Sequence, residues 1–252
     1  SFFLFSYTAV LGVGLLLGFG LTMWLEKRSK WEREAGDWQN GVLWALLVGL
    51  LAGQAGFVWR QWGYFAEHEA EVWKLWRGGL DYHAALLAGL VPFWLWCVLR
   101  QAQQPSLRQA QQPMLRQAQQ SRFWQLSALL APAIVLVSLF GWAACWLEGC
   151  GYGATGTLGW LTADLPNPLG VFALRYRTQL FAFLLTLPLL GTAVFLTTRH
   201  PQTAFGATLA GVSLVRLFIT PLLGSSAPLW LGWRYELWLE GGFVLLGLLL
   251  VQ

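Results

Sequence analysis

The sequence predicts an all-α polytopic membrane protein of about seven transmembrane helices, with its N-terminus outside and its C-terminus cytoplasmic. Three observations predict the helices. Of 252 residues, 56% are hydrophobic and only 11% charged, against roughly 25% charged in an ordinary soluble domain. Apolar stretches of about 17–25 residues, the length that crosses a hydrocarbon core, recur along the chain. Many of the 17 tryptophans, among them Trp24, Trp31, Trp38, Trp59, Trp62 and Trp124, fall near the ends of those stretches, where an interfacial aromatic belt forms.

The expected spans are Phe2–Leu25, Gly41–Val58, Leu80–Leu99, Phe123–Phe140, Thr178–Thr198, Thr203–Thr220 and Gly232–Val251. The first is too long for a signal-peptide core and has no basic segment before it, so it is expected to be retained. Gly and polar residues interrupt the second, fourth and sixth, or their ends. No soluble segment is long enough to fold alone, so residues 1–252 are expected to form a single transmembrane domain.

Orientation follows from the basic residues. One set of loops holds Lys27, Arg28, Lys30, Arg33, Arg100, Arg108, Arg116, Arg122 and Arg199. The other holds Arg60, Lys74, Arg77, Arg175, Arg177 and Arg234. Nine against six puts the first set in the cytoplasm. The net charge of +4 is thus sorted by topology, and nucleic acid is not an expected partner. Residues 100–122 contain an octad repeat, in which Arg100, Arg108 and Arg116 each open an Arg-Gln-Ala-Gln-Gln unit. Pro105 and Pro113 break a continuous helix there, so this is expected to be a flexible cytoplasmic loop; the alternative is a strip that binds lipid headgroups or a partner. Residues 149–177, rich in Gly, Pro and Thr, are the expected external loop. Cys97, Cys145 and Cys150 are too few for a disulfide framework and lie near no metal-ligating histidine. Each is expected to be a free, buried thiol, and Cys145 a small packing residue on the Gly141–Gly149 stripe.

An ionisable group inside a span is costly and marks a site by default. Gln54, Asp81 with His83, Glu148, Arg175 to Gln179, and Arg216 meet that criterion or approach it. In Gly78-Gly-Leu-Asp-Tyr-His83, Asp81 is placed to cap the helix that follows. His83 is then its second residue, where the positive helix end disfavours imidazolium and leaves the ring able to accept a proton. Two residues apart, the two side chains do not face each other, and no dyad is expected. The plainer alternative is an interfacial histidine bonded to lipid or loop. Arg216, near mid-span, needs an anionic partner: Glu148 or Glu236 on a structural reading, a lipid phosphate on a functional one. Glu148 lies in a glycine-rich run, Gly141–Gly153, of the kind that breaks helices at membrane binding sites.

Gly53-Gln-Ala-Gly-Phe-Val-Trp, Gly78-Gly-Leu-Asp-Tyr-His83, the Gly141–Gly153 run and Arg175-Tyr-Arg-Thr-Gln-Leu180, in this order, resemble the prolipoprotein diacylglyceryl transferase family. That family carries Gly-Gly-Leu-Ser-aromatic-His-Gly-Gly and Arg-x-Pro-Ser-Gln-Leu-Tyr runs, and Tyr7 and Arg216 also fall where it carries functional residues. The resemblance implies transfer of a diacylglyceryl group from phosphatidylglycerol to the lipobox cysteine of a prolipoprotein signal peptide, in a bacterial plasma (inner) membrane. It implies partners that are membrane lipids and a lipoprotein precursor, and no cofactor or metal. His83 is then the base for a thiol that is mostly protonated at neutral pH, and Arg216 the clamp for the departing phosphate. Tyr7, Gln54, Glu148, Arg175 and Gln179 are the expected substrate-binding residues.

The sequence departs from the family pattern in places that bear on charge. Trp142 replaces an arginine of the glycine-rich signature. Cys145 and Glu148 stand at its Asn positions, and Cys150 at its Glu. Gln54 stands where an arginine is common, Ala84 and Ala85 replace glycines, and Val212 and Thr220 replace Tyr and Glu. A catalytically degenerate relative that binds lipid or a membrane partner is therefore the alternative function. A small transporter is a third class, but the halves show no inverted repeat.

Overall fold

A computed structural model describes residues 6–28, 38–74, 79–102, 112–167 and 169–251, with the side chains of 100–102 and 112–123 left undescribed. The expected first-span residues Phe2–Phe5, the loop residues Lys30, Arg33 and Arg77, and residues 103–111 of the repeat lie outside this set. In chain order the elements are α1 (Ser6–Arg28), α2 (Trp38–Arg60), α3 (Trp62–Phe65), α4 (Tyr82–Ala102) and α5 (Gln112–Glu148). Then follow β1 (Thr162–Pro166), β2 (Phe172–Tyr176), α6 (Thr178–Arg199), α7 (Pro201–Ile219), β3 (Leu229–Trp230), β4 (Trp233–Arg234) and α8 (Tyr235–Leu249).

Six of these helices are long and apolar enough to cross a membrane: α1, α2, α4, α5 from Trp124, α6, and α7 with the turn after it. The chain is a multi-pass helical membrane protein. The seventh expected stretch is helical over Tyr235–Leu249 alone; its first residues, Gly232 to Arg234, turn and pair in the β3–β4 ribbon. β1 and β2 form a second antiparallel ribbon within the 149–177 connection. Both ribbons lie outside the spanning helices. α5 starts inside the repeat at Gln112, with Pro113 in its first turn, where a missing N–H breaks no helical bond.

The chain divides into two compact units, one of residues 1–30 and 127–252, the other of 31–126. In the second unit α2 packs on α4 through small residues. A Cβ on Gly49 would lie 2.9 Å from the Ala85 carbonyl oxygen, and one on Gly89 would lie 3.1 Å from that of Ala45. Without a hydrophobic driving force between helices in lipid, such close backbone approach supplies the packing. In the first unit α7 and α8 meet the same way, Gly206 against Gly247. Two buried threonines tie its helices by hydrogen bonds: Thr22 to the Leu129 carbonyl at 3.3 Å and Thr197 to that of Ala128 at 3.0 Å. Leucines such as Leu16, Leu43, Leu184 and Leu245 stay exposed on the helix surfaces, as a lipid solvent permits.

Candidate active site

In the 31–126 unit, the C-terminal end of α2 meets the start of α4. Asp81 sits just before α4, and its Oδ1 accepts the Ala84 backbone N–H at 2.8 Å, which is the N-cap bond the sequence predicts. Its Oδ2 lies 2.7 Å from Arg60 Nη1 at the end of α2, and its backbone N–H donates to the Gly53 carbonyl at 2.9 Å. Gly79 makes the approach possible. It has φ +94, and a Cβ there would collide with the Phe57 ring. His83, second in the helix and 4% exposed, packs edge-on against Tyr82 with ring centroids 5.3 Å apart. Gln54, next to Gly53, donates through Nε2 to the Val72 carbonyl at 2.7 Å. Its Oε1 is buried without a hydrogen-bond partner among the described residues. His83, Gln54, Asp81 and Arg60 thus gather at one end of the α2–α4 pair.

In the other unit, the alternation of antiparallel helices brings the start of α1, the end of α5, the start of α6, the end of α7 and the start of α8 to one end. Tyr7, Glu148, Arg175, Gln179 and Arg216 all lie there. Arg216, in the last turn of α7, bonds through Nε to Oε1 of Glu240 at 2.5 Å. This corrects the expected ion-pair partners. Glu148 instead accepts from Ser6 Oγ at 2.9 Å and from the Tyr7 backbone N–H at 3.4 Å, a carboxylate held at the positive end of α1. Glu236 pairs with Arg234 at 2.8 Å. Glu240, an ionisable residue inside the apolar stretch Gly232–Val251, meets the criterion that singles out Arg216 and is the site residue that the sequence expectations lack. Trp142 fills its position with an aromatic face: Arg216 Cζ lies 5.6 Å from the ring centroid, and the ring packs with Ala182, Val215 and Ile219. Half-buried Tyr7 lies within the field of the Arg216 charge.

The 149–177 connection holds a second correction. Cys145 and Cys150 are joined as a disulfide, while Cys97 is buried and takes part in no disulfide. The cysteines are five residues apart and flank the end of α5. Gly149, at φ +75, turns the chain back so that their Cα atoms come within 4.5 Å. The start of α6 then holds the disulfide loop. Gln179 Nε2 donates to the Cys150 carbonyl at 2.9 Å, and Thr178 Oγ1 to that of Gly151 at 2.7 Å. Arg175, on β2 and 8% exposed, lies over the Tyr152 ring and reaches the Gly153 carbonyl at 3.4 Å. Its Nε has no hydrogen-bond partner among the described residues. Further along, the Ala154 N–H donates to the Leu222 carbonyl and the Gly224 N–H to that of Tyr152, which pins the loop to the end of α7.

The sequence matches the prolipoprotein diacylglyceryl transferase family over residues 2–251. The chain belongs to that family. Its relatives include the phosphatidylglycerol–prolipoprotein diacylglyceryl transferase of Bacillus licheniformis, 26% identical over 137 residues, covering 54% of this chain and 42% of that protein. That of Limosilactobacillus reuteri is 22% identical over 203 residues, covering 79% of this chain and 66% of the relative. That of Acaryochloris marina is 24% identical over 231 residues, covering 88% and 77%. The Bacillus licheniformis match thus spans less than half of that relative's length. Of the positions expected to depart from the family pattern, Trp142, Cys145, Glu148 and Cys150 are packed or bonded in this chain. Trp142 faces Arg216, Cys145 and Cys150 are bonded to each other, and Glu148 holds the start of α1.

Proposed function

We propose that this chain transfers a diacylglyceryl group from phosphatidylglycerol to the lipobox cysteine thiol of a prolipoprotein in the bacterial plasma membrane. In the proposed reaction His83 takes the thiol proton, the thiolate attacks the glyceryl carbon, and the carbon–oxygen bond to phosphate breaks. A thioether forms and glycerol phosphate leaves, with Arg216 holding its charge. Tyr7, Gln54, Glu148, Arg175 and Gln179 are assigned to substrate binding. The observation that carries the reading is the buried His83 on the second position of α4, its helix start held by Asp81 and Arg60, in a chain that matches the family over residues 2–251.

The proposed topology has seven spans, α8 being the last, with the N-terminus outside and residues 100–122 in the cytoplasm. The disulfide at the head of the 149–177 connection supports that side being external, because such bonds persist in oxidising compartments. The test is transfer of radiolabelled diacylglycerol from phosphatidylglycerol to a lipobox peptide by the purified protein. Transfer that is lost in His83→Ala is expected. No transfer, where an authentic family member works, overturns the reading. Trp142 in place of an arginine favours a second reading, a lipid-binding relative without turnover, which that negative result would support if lipid is still retained.

A further inference from the structure

Glu240 is the most deeply buried ionisable side chain among the described residues, 0% exposed, and the proposed chemistry leaves it unused. A carboxylate in apolar surroundings stays ionised only with a cation bonded to it. Here that cation is Arg216. The pair is asymmetric: the carboxylate is sealed, whereas the Arg216 side chain is 22% exposed and has the Trp142 face beside it. Glu240 takes Nε, the nitrogen on the stem side of the guanidinium. A phosphate bound in bidentate fashion uses the outer Nη edge, so carboxylate and phosphate would share one guanidinium. The pair has no net charge. Any phosphate drawn to Arg216 also meets the negative charge of Glu240 only a guanidinium's width away, in surroundings that screen it poorly.

We propose that Glu240 is a specificity-determining residue, a built-in counter-ion that lowers the preference of Arg216 for net-anionic phospholipids over zwitterionic ones. A zwitterionic headgroup brings its own cation to offset the added negative charge, and an anionic headgroup does not. The inference rests on the reading of Arg216 as the group that holds lipid phosphate.

The experiment measures retention of phosphatidylglycerol and phosphatidylethanolamine by the purified full-length protein in mixed micelles, with no transfer step. Wild type is expected to retain the two to a similar extent. Glu240→Gln is expected to raise the phosphatidylglycerol-to-phosphatidylethanolamine ratio about tenfold, and charge-preserving Glu240→Asp to stay within about twofold of wild type. Adding Arg216→Gln to Glu240→Gln should remove the rise. An unchanged ratio in monodisperse Glu240→Gln overturns the proposal. So does a wild type that already prefers phosphatidylglycerol more than about tenfold, a result that needs no variant to fold. Retention that is Arg216-dependent with an unchanged ratio overturns this inference alone. Retention indifferent to Arg216→Gln overturns the phosphate role of Arg216 as well.

Discussion

Arg60 Nη1 donates to Asp81 Oδ2 at 2.7 Å, joining the last residue of α2 to the residue that caps α4. One carboxylate therefore sets where α4 starts and holds the end of α2 against it. Asp81→Ala removes both bonds. The expected loss is about 1 kcal/mol for the cap and up to about 1 kcal/mol for the pair, a ceiling kept low by the exposed arginine. Asp81→Asn retains the capping oxygen, so its loss should be roughly half as large. Thermal unfolding of the purified protein in detergent measures both, and equal losses would show that the cap contributes nothing.

The Cys145–Cys150 bond predicts a thiol count. Unfolded without reductant, the protein should take one maleimide, on Cys97, and after reduction three. Three labels before reduction would disprove the bond. Replacing both bonded cysteines with serine should cost about 2 kcal/mol, the loop-closure value for so short a loop.

Two glycines separate close packing from open space. A Cβ on Gly153 would lie 2.1 Å from the Tyr176 carbonyl oxygen, whereas a Cβ on Gly12 would meet nothing within 4 Å. Gly153→Ala is expected to destabilise by about 1–3 kcal/mol, since backbone must shift. Gly12→Ala should be neutral or stabilising, by up to about 1 kcal/mol. Unfolding temperatures in one detergent compare them directly, and a tolerant Gly153→Ala would contradict the loop's close passage over β2.

Thr178 tests the tie between α6 and the disulfide loop. Thr178→Val keeps the shape of a fully buried side chain but removes its bond to the Gly151 carbonyl, at an expected cost of about 1–2 kcal/mol. Thr192→Val, exposed and bonded within its own helix, is the control and should stay within about 0.5 kcal/mol of wild type. If the two variants unfold together, the tie is absent.

The sequence by itself determined the solvent, the first six spanning helices and the family. Apolar runs such as Thr178–Thr198 are local signals, readable because each residue's preference for lipid is set by its own side chain and its near neighbours. The cap at Asp81 was readable for the same reason: donor and acceptor lie three residues apart. Only the tertiary structure decided the partners. Arg216 needs an anion on any reading, but which carboxylate supplies it depends on α8 lying beside α7, 24 residues on. Glu148 was free to be that partner in sequence and is held instead by the start of α1, 142 residues away. The disulfide spans five residues, yet it depends on Gly149 turning α5 back on itself. Hydrophobicity is a property of a stretch, while an ion pair belongs to two points that folding brings together.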